Sequence, residues 1–450
     1  MISRKFLAAV GFGLAAITLA ACTGPAVDTG NEPSSSAEPS SSANPFEGVE
    51  PAKEIVFLSA NPGGSQEVTQ EIIDAFTAET GISVELQSAS NYEETAQRFQ
   101  AAQAGGGLPD VMTLSDVWWF RFYMNEQIMP LGEVLAAADV DVNDYVPGLY
   151  ADYTYEGEQW GVPFARSTPL FYYNKAHWAA AGLPDRAPAT WEEFAEWGPK
   201  LQAATGVHAY GYPETAGYAG WTLQNLLWGN GTGWSAENSF EVTANSAAAV
   251  DALTAMQDSI YKDGWATQSA TSAQTDFVSE SVSSTILSTG SLVGTQTALA
   301  SAGDPFEIGV GFLPGGPVEA DTVVPTGGTG VSITAGIPVE NQLAAAMFIG
   351  FLTNPENAIK FSAATGYVPV NSKADASVIT GPNPLAQTAI DQLARIRPQD
   401  YVRVFLPGAD GEMALAVTAI NTAQADVQTE LDALAATLQR IFTSQVEPNL

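Results

Sequence analysis

The sequence predicts an α/β protein built as two lobes. Two observations carry this: strand and helix patterns alternate from Glu54 onward, and residues 51–450 are too many for one core. Single hydrophobic cores stop growing near ~250–300 residues. The raw material for two cores is present, since hydrophobic residues make up 46% of the 450, with 10 Trp, 20 Phe and 14 Tyr.

Glu54 to Ala60 (EIVFLSA) is an apolar run of strand length. Gln66 to Thr80 has helical period, with Ser65 ahead of it and Gly81 closing it. Ile82 to Ser88 gives a second strand, Tyr92 to Ala104 a second helix and Asp110 to Leu114 a third strand. Thr190 and Glu193 form a capping box that opens WEEFAEW, and Pro199 is expected to end or kink that helix. Helical patterns follow from Asn341 to Leu352, Pro355 to Ala364 and Leu415 to Gln445. Such alternation implies layered helices over mostly parallel sheets.

The N-terminus carries an address. Arg4 and Lys5 precede an apolar run from Phe6 to Ala20, about 15 residues against the ~20 that a spanning helix needs. Leu19-Ala20-Ala21-Cys22 resembles the bacterial lipobox, in which the cysteine is acylated and becomes the mature terminus. Residues 1–22 are therefore expected to be a lipoprotein signal peptide, leaving the protein exported and anchored by lipid to the outer face of the cell membrane. Cys22 is the only cysteine, which excludes a disulfide framework and a multi-thiolate metal site. Residues 23–50, with SSSAEPSSSANP, are too polar to offset their chain entropy by burial and are expected to be a disordered tether. The formal charge of −34, from 50 acidic and 16 basic residues, repels nucleic acid and anionic lipid as partners.

Catalytic constellations are scarce. The two histidines, His177 and His208, stand in no ligand spacing, and there is no nucleophile elbow, Walker loop or dinucleotide fingerprint. No metal, cofactor or catalytic residue is assigned, and the chain is expected not to be an enzyme. A secreted glycosidase working through two carboxylates is the enzymatic reading that remains.

Small polar and aromatic residues instead cluster at turns: Asn91-Tyr92-Glu93, Ser115-Asp116, Ser167-Thr168-Pro169, Tyr218-Ala219-Gly220-Trp221, Ser288-Thr289-Gly290-Ser291, Thr326-Gly327-Gly328 (expected as a flexible turn) and Gly366-Tyr367. Loops at strand ends of α/β domains gather ligand groups. At these residues the chain resembles the extracellular solute-binding proteins of carbohydrate-type ABC importers, within them the branch for glycerol-3-phosphate and glycerophosphodiesters. The stretches that carry the resemblance are NYEETAQRFQAAQAGGGLPDV, PFARSTPLFYYNKAHWAAAGLP with TWEEFAEW, STGSL, PTGGTG and FLTNPENAIKFSAATGYVPVNSKA.

The resemblance implies a two-lobed periplasmic-binding-protein fold with a hinge and a ligand cleft between the lobes. Lobe one is expected at 51–164 plus 322–370, lobe two at 165–321 plus 371–450. The implied ligand-binding residues are Tyr92, Asp116, Ser167, Tyr218, Trp221, Ser288, Gly328, Tyr367 and Arg403. The diol would meet Asp116 and an aromatic platform. The phosphate would meet Ser167, Ser288, the Gly328 N–H, Tyr367 and Arg403. Asp116 stands where relatives carry glutamate, and Tyr218 where they can carry tryptophan, which keeps a disaccharide or other neutral sugar open as the ligand. The implied partner is an ABC permease. Trp221 is expected to serve the ligand more than the ligand-free fold, whereas Arg395, Arg397 and Arg403 in RIRPQDYVR also suit a solvated patch.

Changing Cys22→Ser is expected to shift the protein from the membrane fraction to the soluble fraction while the folded body keeps its melting temperature. Membrane retention equal to that of the unmodified chain would count against lipidation.

Overall fold

The computed structural model describes residues 44–60, 65–303 and 305–450. The signal segment, Cys22 and most of the expected tether lie outside these residues. The tether reading overlaps them only over 44–50, and there Phe46 is buried in the first core rather than solvated.

Two five-stranded sheets carry the two lobes. The first runs in the order Ser83–Ala89, Glu54–Ala60, Val111–Ser115, Gly327–Ile333, Val162–Ser167. Its first three strands are parallel, and Gly327–Ile333 is antiparallel to both its neighbours. The second runs Ile308–Gly311, Pro169–Asn174, Ser284–Ser288, Tyr210–Tyr212, Ala266–Gln268, with two antiparallel pairs followed by two parallel ones. The mostly parallel expectation is thus corrected. Antiparallel pairs arise where the chain enters one lobe from the other, because it then arrives without a crossover helix.

Helices cover the sheets, so the inner strand Glu54–Ala60 reads as a near-continuous apolar run, while the edge strand Ser83–Ala89 (SVELQSA) does not. In the first lobe Phe57 meets Phe348 edge-on at 5.3 Å, and Phe76 meets the same ring at 5.3 Å. In the second, every residue of Pro169–Asn174 is buried, and Phe171 packs edge-on against Phe194 at 5.2 Å.

Three departures from the sequence reading have physical causes. The helix Trp191–Thr205 passes through Pro199. Phe194, Trp197, Gly198 and Leu201 are all buried along it, and their packing outweighs one lost hydrogen bond. The pattern from Leu415 to Gln445 splits into Ala409–Ala423 and Val427–Ile441. Gln424 turns left-handed at φ 51°, and Asp426 caps the second helix through Thr429 N–H. Thr326-Gly327-Gly328 is no flexible turn but the entry to a central strand, with a bulge between Gly328 and Gly330. Gly328 has φ 97°, and a Cβ there would lie 2.0 Å from the Ala165 carbonyl oxygen, so only glycine fits.

Val162–Ser167 and Pro169–Asn174 belong to different sheets, with Thr168 alone between them. A buried ionic network stands beside this crossing. Arg166, wholly enclosed, pairs with Asp152 and donates from Nη1 to the Tyr153 hydroxyl at 3.0 Å. Asp152 also accepts from the Thr326 hydroxyl at 2.6 Å, which ties it to the return crossing. Burial pushes the Asp152 carboxyl up, against the lowering by Arg166.

Removing one partner of such a pair strands a buried charge. Arg166→Met is expected to cost ~3–5 kcal/mol in urea unfolding, and Arg166→Met with Asp152→Leu distinctly less. Equal losses in the single and double variants would refute the charge argument.

Candidate ligand-binding cleft

The strand ends that face the crossings open into a cavity of about 1310 Å³ between the two sheets. All nine residues singled out from the sequence line it: Tyr92, Asp116, Ser167, Tyr218, Trp221, Ser288, Gly328, Tyr367 and Arg403. Each comes from an element end. Tyr92 opens the helix Tyr92–Gly105, behind the cap of Asn91. Asp116 follows Val111–Ser115, and its N–H donates to the Gly328 carbonyl at 3.2 Å. Ser288 ends a strand, and its hydroxyl accepts from Gly290 N–H at 3.1 Å. Tyr367 follows Gly366, a left-handed helix cap at φ 94°.

The aromatic residues form two packed groups. The Tyr367 ring stacks on Phe361 at 5.8 Å, and burial pushes its phenol up, against a lowering by the neighbouring Tyr92. Gly290 is glycine because a Cβ would sit 2.9 Å from the Tyr367 ring. Tyr218 leans on Trp221 at 5.8 Å, and burial pushes its phenol up to about 12. Trp221 is only 6% exposed, and its indole N–H donates to the Thr326 carbonyl at 2.8 Å. It therefore braces the crossing as well as lining the cleft. The expectation that its loss would spare the ligand-free fold is corrected, since truncating a buried Trp costs ~3–5 kcal/mol.

Arg403 is the one lysine or arginine lining the cavity among the described residues. It is 4% exposed, and its charge is matched from both lobes. Nε donates to Asp410 at 2.9 Å, and Nη1 donates to Asp116 at 3.3 Å and also to Gln399. Gln399 in turn donates to Asp116. Arg395 and Arg397 do not join it. Their guanidinium groups lie half-buried over Phe312 at 4.6 Å and Trp228 at 4.5 Å, so the solvated-patch reading fails for Arg403 and is reduced to a partly exposed pair for the other two. His177 bonds Ser283 and Glu280, and neither histidine lines the cleft.

The family model of bacterial extracellular solute-binding proteins matches residues 71–388. The chain belongs to that family. This solute-binding protein is 28% identical over 333 residues to the sn-glycerol-3-phosphate-binding periplasmic protein UgpB of Escherichia coli K12, covering 70% of this chain and 74% of that one. It is 38% identical to UgpB from Mycobacterium tuberculosis, crystallised with glycerophosphocholine, with a TM-score of 0.81 over 88% of this chain and 100% of that one. The GacH receptor of Streptomyces glaucescens shares the fold at 19% identity, with a TM-score of 0.75 over 87% of this chain and 98% of that one.

Sequence reasoning passed over Arg166, Asp152, Gln399, Asp400 and Asp410. Arg166 had a signal, because an arginine inside the apolar strand VPFARS must find a buried partner. Asp410 had none, being one of 50 acidic residues. Asp400 fixes the segment that carries Gln399 and Arg403. It is 1% exposed and accepts from the Trp228 indole at 3.0 Å and Trp234 N–H at 2.7 Å.

Burial raises the Asp400 carboxyl to about 6, despite the lowering by those two donors. Its unfolded value is about 3.9, so this group's stabilising contribution is full below that value and is lost as pH rises through the folded value. Two units correspond to ~3 kcal/mol. Urea midpoints measured from pH 4 to 7 should fall less in Asp400→Asn than in wild type. Parallel curves would remove Asp400 as the cause.

Proposed function

We propose that this solute-binding protein of an ABC importer captures glycerol-3-phosphate or a glycerophosphodiester and hands it to the permease unaltered. The carrying observation is the one lining guanidinium, Arg403, in the same cavity as Ser167, Ser288, Gly328 and Tyr367. In a chain of charge −34, an anion needs a cationic donor at its point of contact, and arginine suits a phosphate oxygen. The relatives named for glycerol-3-phosphate and crystallised with glycerophosphocholine support the same ligand class. Lipidation at Cys22 belongs to this proposal, as the means that keeps the cleft near its permease.

Two rival readings carry less. The rings of Tyr92, Trp118, Tyr218, Trp221 and Tyr367 line the cavity and suit a neutral sugar. A glycosidase works through a pair of carboxyls, whereas of the three that line the cavity Asp116 and Asp410 are both tied to one guanidinium and only Glu93 stands apart from it.

Calorimetric titration with glycerophosphocholine and trehalose separates the ligands. Arg403→Ala should weaken the phosphodiester about 30-fold or more, the scale of a buried charged contact. Arg403→Lys should recover only part of that, because an ammonium cannot hold Asp410, Asp116 and Gln399 in the guanidinium's geometry and also reach the phosphate. Trehalose binding without phosphodiester binding would leave the importer role standing and end the glycerophosphate reading.

A further inference from the structure

Arg403 is not free to meet a phosphate with its full fork. A bidentate contact uses either the Nε–Nη2 edge or the Nη1–Nη2 end of the guanidinium. Asp410 holds Nε, while Asp116 and Gln399 hold Nη1. Nη2 alone has no protein partner among the described residues, so it can give a phosphate one side of a contact only. The charges agree with the geometry. Glu93, Asp116 and Asp410 line the cavity against the single positive Arg403, a formal balance of one to three.

Of these carboxylates, Asp410 is the one whose bonding serves Arg403 alone. Asp116 also accepts from Gln399, and Glu93 makes no contact with the guanidinium. Asp410 occupies the first turn of the helix Ala409–Ala423, where the helix dipole favours a negative charge. The neighbouring backbone is shaped for the pair: a Cβ on Gly220 would lie 2.4 Å from Asp410 Oδ1 and 3.2 Å from Arg403 Nε. Asp410 stays more open than its partner, at 19% against 4% side-chain exposure.

We propose that Asp410 is the specificity-determining residue of the cleft, admitting a singly charged phosphodiester and disfavouring a doubly charged phosphate monoester. It does so by occupying the Nε edge and by adding one negative charge beside the phosphate position. A monoester carries a charge of about −1.5 to −2 at pH 7, and a diester has no second ionisable oxygen. This inference rests on the glycerophosphate reading of the cleft. It narrows that reading to diesters and leaves the group beyond the phosphate unspecified.

The test titrates the protein with glycerol-3-phosphate, the methyl ester of glycerol-3-phosphate and glycerophosphocholine. The methyl ester carries one charge and no cationic head, so it isolates charge from headgroup recognition. Wild type should bind both diesters at least ~10-fold tighter than the monoester, the scale of one like-charge contact. Asp410→Asn should close that gap by ~10-fold, and Asp410→Ser, which also removes the charge, should do the same. Asp410→Glu should keep the gap. A gap unchanged in both neutral variants overturns the role of Asp410 while the glycerophosphate reading stands. So does wild type binding the monoester as tightly as its methyl ester. Failure of wild type and every variant to bind any of the three esters overturns the glycerophosphate reading itself.

Discussion

The guanidinium of Arg403, shut between Asp116 from the first lobe and Gln399 and Asp410 from the second, sets the terms for the cleft. An arginine at 4% exposure stays charged and so must be paired, and losing one partner strands the rest. Its carboxylates must therefore be brought together from distant parts of the chain. Asp116 is delivered by the end of the strand Val111–Ser115, and Asp410 by the first turn of a helix. Asp400, bonded to Trp228 and Trp234, fixes the backbone between them. Satisfying one buried charge thus fixes where both walls of the cleft stand.

The crossings between lobes are held by the same kind of chemistry. Thr326 accepts the Trp221 indole on its carbonyl and gives its hydroxyl to Asp152, which pairs with Arg166 beside the other crossing. One residue of the return strand is thereby bound to a cleft aromatic and to a buried ion pair. Gly327 and Gly328 follow directly, the first pressed by the Trp221 ring, the second in a bulge that L side chains cannot enter. These contacts tie both crossings between the sheets to one another. The wall of the cleft is thereby bonded directly to the crossings, through the Trp221 indole on Thr326.

Much of this was legible in the sequence. Glu54–Ala60 is read to the residue, because a strand buried on both faces writes itself as an uninterrupted apolar run. The nine cleft residues meet in one cavity, because strand ends of an α/β sheet converge whatever the distance along the chain. What escaped were properties set by tertiary neighbours. Pro199 fails to stop its helix because Trp197 and Leu201 are buried around it, and the glycines at 327 and 328 look like a turn until the two flanking strands are present. Trp221 reads as a ligand platform, while its hydrogen bond to Thr326 spans 105 residues. Asp410 is chemically ordinary until Arg403 stands 2.9 Å away.

The most direct measurement is a crystal structure of the protein with glycerophosphocholine bound. The phosphate should lie within hydrogen-bonding distance of Arg403 Nη2, the hydroxyls of Ser167, Ser288 and Tyr367 and the Gly328 N–H, with the diol at Asp116 and the Arg403–Asp410 contact intact. A phosphate turned away from Arg403, or one that displaces Asp410 to take the Nε edge, would contradict the charge balance on which this cleft is understood.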